Sequence, residues 1–131
     1  MKSLNEYIEE AQTKVFDEAR AFFAFGKKQF DEKKQDGVKY VDVGYGLICP
    51  KEKTEWLINE LENIHKRGIE QDIKENGVEA IIHRELANYE TQITGDITAV
   101  VDALESYGIT EDQIKKEYKI FFKKCVKNDL F

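Results

Sequence analysis

Apolar residues recur at three- and four-residue intervals from the first turn of the chain. Leu4, Ile8, Ala11, Val15, Ala19 and Phe22 fall on one side of a helix. Ser3 and Glu6 stand at the two ends of a capping box, where a hydroxyl and a carboxylate each satisfy an amide that the first turn leaves without a partner. This pattern predicts a first helix from Ser3 to about Ala24, stopped by Gly26. Phe25 and Phe30 then flank a charged stretch closed by Asp36 and Gly37, which predicts one short helical turn that pins both rings to the core.

From Val38 to Cys49 the period changes. Val38, Tyr40, Val43, Tyr45, Leu47 and Ile48 are β-branched, aromatic or aliphatic, and Gly44 and Gly46 allow a tight reversal, so one small hairpin is expected near residues 38–49. Pro50 suits a first helical turn because it has no amide hydrogen to leave unsatisfied. Leu57, Leu61 and Ile64 continue as a stripe to Gly68, beyond which Ile69 and Ile73 rotate away from it. That shift predicts a kink or a fresh helix before Asn76 and Gly77. A further helix is expected over 78–89. A short one should follow the N-cap at Asp96 and stop at Gly108. A second capping box, Thr110 to Gln113, should open a last helix with Ile114, Tyr118, Phe121, Phe122 and Cys125 on one side. The expected fold is α+β and predominantly helical, with about five helices and one hairpin, as a single domain over residues 1–131 around one hydrophobic core.

Composition adds limits. Hydrophobic residues make up 41% and charged residues 35%, and there is one proline, so the chain is expected to fold throughout. No run reaches the roughly 18 uncharged apolar residues of a membrane span, and glutamates stand where a signal peptide has its apolar stretch. A cytoplasmic location with Cys49 and Cys125 reduced is the expectation. The 20 basic and 26 acidic side chains give a net charge of −6, which disfavours direct binding to nucleic acid. Acids outnumber bases most between Lys51 and Glu90, a region suited to a basic partner surface.

Glu62 and His65 have the i, i+3 spacing of carboxylate-bridged metal bundles, but such sites need a second copy of the motif. The other histidine, His83, has Ala80 at that position and Glu79 only four residues before it, so no metal site is assigned. Neither cysteine comes with a neighbouring histidine. Gly44-Tyr45-Gly46 lacks both the third glycine of a dinucleotide turn and the Gly-Lys-Ser/Thr of a P-loop. No catalytic residue and no cofactor is expected.

Two residues fit a plain core poorly. Glu85 falls inside the apolar arc of Val78, Ile81, Ile82 and Leu86, so its carboxylate needs a partner: a structural hydrogen bond to a tyrosine or a helix amide, or a ligand. His83, Arg84 and Asn88 are the candidate ligand-binding neighbours. Trp56 lies about 80° off its helix stripe at ~100° per residue, on a face with Glu60, Asn63 and Arg67, and reads equally as an interface anchor or a core residue. With Glu62, this face is the candidate partner-binding surface. Lys116, Lys119, Lys123 and Lys127 line the last helix as a solvated face or a contact for an acidic partner.

The segments FFAFGKKQF, YVDVGYGLICP and IIHRELANYETQITGDI resemble small uncharacterised proteins carried by bacteriophages and mobile elements, over Phe22 to about Gln113. The resemblance implies a bacterial host cytoplasm and a non-enzymatic interaction protein. An anti-CRISPR-like inhibitor that offers its acidic surface to a basic nucleic-acid-processing complex is the leading form of that expectation. A small-ligand or metal-binding protein using a buried carboxylate and a phage structural component are the alternatives.

Overall fold

In the computed structural model, which describes all residues, 1–131, the chain runs α1 (Leu4–Ala19), β1 (Phe22–Phe23), α2 (Lys27–Lys33), β2 (Tyr40–Asp42) and β3 (Leu47–Pro50). A 3-10 turn (Lys51–Lys53) leads into α3 (Thr54–Asn76), followed by α4 (Val78–Asn88), α5 (Thr91–Thr94) and α6 (Thr98–Leu104). A second 3-10 turn (Glu105–Tyr107) precedes α7 (Glu111–Asn128). The fold is α+β and mostly helical, with seven helices where about five were expected. The additions are α2, which the sequence suggested only as a single turn, and α5, whose four residues are too short to show a period. No helix is long and apolar enough to cross a membrane.

The chain divides into two compact units, residues 2–68 and residues 69–131 with Met1. Buried side chains form two clusters instead of the one core expected.

In the N-terminal unit, α1 starts where the Ser3 hydroxyl accepts from the Glu6 amide. It stops at Ala19, short of the expected Ala24. Arg20 adopts the left-handed conformation, and its amide and that of Ala21 turn back onto the carbonyls of Phe16 and Asp17, which ends the helix without a glycine. Phe22 and Phe23 are thereby freed to pair with Ile48 and Leu47. The hairpin of β2 and β3 becomes a three-stranded antiparallel sheet of order β1-β3-β2. A two-residue strand cannot be recognised from its own period, because its partner lies elsewhere in the chain. The core here joins Ile8, Val15 and Ala19 of α1 to Leu47 and Cys49 of β3 and Leu57 and Ile64 of α3.

α3 is one continuous helix of 23 residues. Gly68 neither ends it nor starts a new one. A Cβ built on Gly68 would overlap Cγ2 of Ile8 and press on Leu4, so glycine is present to let α1 come close.

In the C-terminal unit, Ile81, Ile82 and Leu86 of α4 pack with Val100 and Leu104 of α6 and with Ile114, Phe121 and Cys125 of α7. Both cysteines are free thiols, each within its own unit's cluster. Burial pushes the Cys49 thiol up despite a contact with Thr54, which keeps it protonated and unreactive. The second capping box forms in full, with the Thr110 hydroxyl accepting from the Gln113 amide and the Gln113 side chain accepting from the Thr110 amide. Phe122, expected on the buried side of α7, is 38% exposed, and Glu117 is buried instead. The α7 stripe is therefore centred one step round the helix from its most apolar arc.

Gly68 supplies a test of the close approach. Alanine in place of glycine inside an open helix adds about 1 kcal/mol of stability. Here Gly68→Ala should remove about 1–3 kcal/mol through overpacking against Ile8, read as a lower urea midpoint. A raised midpoint would show that α1 has room to move away.

Candidate functional site

Asp72 is the most deeply buried charged side chain, with no exposed surface. It projects from α3 on the arc of Ile69, Ile73 and Asn76 and is surrounded by donors. Asn76 Nδ2 donates to Oδ1 at 2.8 Å, and Arg84 of α4 donates through Nη1 to Oδ1 and through Nη2 to Oδ2, both at 2.9 Å. The Tyr107 hydroxyl completes the set by donating to Oδ2 at 2.6 Å. Each carboxylate oxygen thus accepts two hydrogen bonds, and the fork of Arg84 matches the carboxylate in a bidentate pair. Burial alone would raise the Asp72 pKa. The hydrogen bonds from Arg84, Tyr107 and Asn76, with the Arg84 charge, outweigh it and hold the carboxyl below its usual range. Tyr107 moves the other way, since burial and the carboxylate it serves both oppose its ionisation.

Glu85 meets the partner requirement that its position on the wheel imposed, though not with the tyrosine or helix amide expected. Arg84 Nε donates to Glu85 Oε1 at 2.9 Å, so one guanidinium holds two carboxylates. Its neighbours on α4 do not join it. His83 faces α7, with Nε2 3.5 Å from Glu117 Oε2 and its ring edge-on to Phe121 at 5.9 Å. That approach is within ion-pair range but not aligned as a hydrogen bond, and Glu117 Oε2 is left without a donor. Asn88 is exposed. Arg84 and Glu85 therefore belong to one network centred on Asp72, while His83 and Asn88 stand apart from it. No three histidine, cysteine, aspartate or glutamate side chains converge as a metal donor set.

The face proposed around Trp56 is also rearranged. Trp56 is half-buried against the N-terminal cluster, with the Lys53 ammonium over its ring at 5.6 Å. Glu62 and Arg67 are exposed and Glu60 is half-buried. Lys116, Lys119, Lys123 and Lys127 are all exposed. The two most exposed aromatics lie elsewhere, around the hairpin. Tyr45 is 98% exposed and Phe25 75% exposed, and Phe25 stacks on Phe23 with ring centroids 6.3 Å apart. Phe25 was expected to be pinned to the core. It is held outside by local backbone, because its amide donates to the Gln29 side chain and its ring lies against Gly46, where a Cβ would come within 2.6 Å. Tyr45 has positive φ between Gly44 and Gly46, and the Asp42 carboxylate accepts from the Gly44 amide to shape this turn.

Sequence reasoning missed Asp72, Asn76 and Tyr107. The spacing of Ile69, Asp72, Ile73 and Asn76 marked the first two as inward-facing positions at i, i+3, i+4 and i+7. Tyr107 stands on the apolar stripe of Val100, Val101 and Leu104, but nothing in the sequence marked its partner, because only tertiary packing brings its hydroxyl to α3.

Fold and site define a small, mostly helical α+β protein that combines a buried carboxylate–guanidinium network with an exposed aromatic hairpin. The chain belongs to a family of unknown function, DUF7659, whose model matches residues 4–124. No curated protein and no solved structure matches it.

Asp72→Asn should cost about 3 kcal/mol at neutral pH, because it leaves Arg84 facing one carboxylate in place of two inside the fold. With a folded pKa below the unfolded one, the Asp72 contribution is complete above about pH 3.9 and fades as pH falls through the depressed value. The gap between wild type and variant in urea unfolding should therefore close in acid. A gap that persists unchanged at pH 2 would assign the loss to packing.

Proposed function

We propose that this protein is a non-enzymatic interaction protein that binds another protein through the aromatic cluster of Phe23, Phe25 and Tyr45. The observation that carries the reading is the exposure of Phe25 and Tyr45 on a backbone that holds them out. Solvent-facing aromatics clustered on ordered backbone are the side chains that dominate binding energy at protein interfaces. A flexible loop could fold them away, but the turn around Gly44 and Gly46 and the Gln29 bond leave little freedom to do so.

Charge supports the choice of partner. With a net charge of −6 the protein would be steered toward a basic surface. The narrower reading, inhibition of a basic nucleic-acid-processing complex of a bacterial host in the manner of an anti-CRISPR, rests on that charge and on the resemblance to phage-borne proteins. The acids available for it exclude Asp72 and Glu85, both committed to Arg84, and include Glu62 on the surface of α3.

The test is capture from a bacterial lysate by immobilised wild-type protein, compared with a Phe25→Ser/Tyr45→Ser double variant and with Glu62→Lys. A partner retained by the wild type should be lost at least about tenfold by the double variant at unchanged melting temperature, since two central aromatics each contribute about 2 kcal/mol or more. Equal retention by the double variant would sink the aromatic surface, and absence of any retained protein would sink the interaction reading.

A further inference from the structure

Two adjoining cavities of about 350 and 420 Å³ in the N-terminal unit share Val38, Pro50 and Glu52. Four cationic side chains from separate parts of the chain surround them: Arg20 at the end of α1, Lys39 before β2, and Lys51 and Lys53 of the 3-10 turn. The backbone forces two of these together. The Lys51 amide donates to the Lys39 carbonyl at 2.8 Å, one step beyond the Tyr40–Pro50 pair that ends the sheet. Like charges on neighbouring positions of paired strands repel. None of Arg20, Lys39 and Lys51 has an ion-pair partner in the chain, and Lys53 is occupied only by the face of Trp56.

The other walls are of a different kind. Val38, Pro50 and Tyr40 provide an apolar side, and the Tyr40 ring is fixed there because its hydroxyl accepts from the Gln35 amide at 2.9 Å and its edge packs on Phe22 and Phe30. Glu18 and Glu52 also reach the cleft. Four cations against two carboxylates leave two positive charges. That matches a phosphate monoester, which carries about −1.5 to −2 near neutral pH.

The geometry points to a binding site for a small phosphorylated organic molecule in this cleft. The phosphate lies among Lys39, Lys51 and Arg20, and a planar or apolar portion lies against Tyr40, Val38 and Pro50. Each cavity is within the ~300–1,000 Å³ range of small-molecule sites. The site uses none of the aromatic residues assigned to protein binding, so it stands or falls independently of that role.

The test is calorimetric titration of the full chain with AMP, inorganic phosphate and adenosine at low ionic strength. AMP should bind most tightly, phosphate more weakly and adenosine not measurably, with the AMP affinity falling as salt rises. A Lys39→Gln/Lys51→Gln variant should weaken AMP at least about tenfold, because it removes two charge-assisted contacts, at unchanged melting temperature. Glu52→Gln should act in the opposite direction and tighten AMP, and Tyr40→Leu should weaken AMP while leaving phosphate unchanged. Absence of AMP binding by the wild type, or equal affinity in the double lysine variant, would overturn the assignment.

Discussion

A carboxylate removed from water needs several donors, and Asp72 dictates much of the C-terminal unit through that need. Its oxygens draw Asn76 from the same helix, Arg84 from α4 and Tyr107 from the turn after α6. Desolvation and donation oppose each other here, and donation prevails because four hydrogen bonds and a bidentate counter-charge act at once. A network of this kind specifies an arrangement more strongly than apolar packing does. Ile81, Ile82 and Leu86 could bury themselves in several ways, but Arg84 satisfies two carboxylates in only one. Glu85, inward on α4, is tolerable because the same guanidinium reaches it.

The N-terminal unit depends on backbone freedom. Gly68 lets α1 approach α3 at Ile8, Gly46 accommodates the Phe25 ring, and Arg20 takes a left-handed turn that separates α1 from β1. The proposed binding surface lies on and beside the hairpin. Phe25 and Tyr45 are placed outside by local geometry, and the strand that carries Leu47 to Cys49 inward is the one that holds them there. An ordered frame that displays aromatics loses little entropy when a partner covers them.

The two units thus carry different chemistry. Residues 69–131 enclose the carboxylate of Asp72 within its donors, and His83 and Glu117 meet between α4 and α7 without joining the Asp72 set, while the lysines of α7 stay exposed. Residues 2–68 bury no such network and carry exposed rings on the hairpin and cations without ion-pair partners beside Pro50.

The long helices, the Ser3 cap, the capping box at Thr110, the hairpin and the stop at Gly108 could be read along the chain, since each depends on contacts within a few residues. The inward position of Glu85 was legible for the same reason, from the wheel of α4. Its partner was not. Pairing of Phe22 and Phe23 with β3, the use of Gly68 as a contact point and the meeting of Asp72 with Arg84 and Tyr107 join residues 12 to 64 positions apart. Local propensity has no term for such distances. Sequence by itself determined which faces of the helices turn inward; tertiary structure decided which buried charges meet and which aromatic rings stay out, because those outcomes depend on neighbours that only the folded chain brings together.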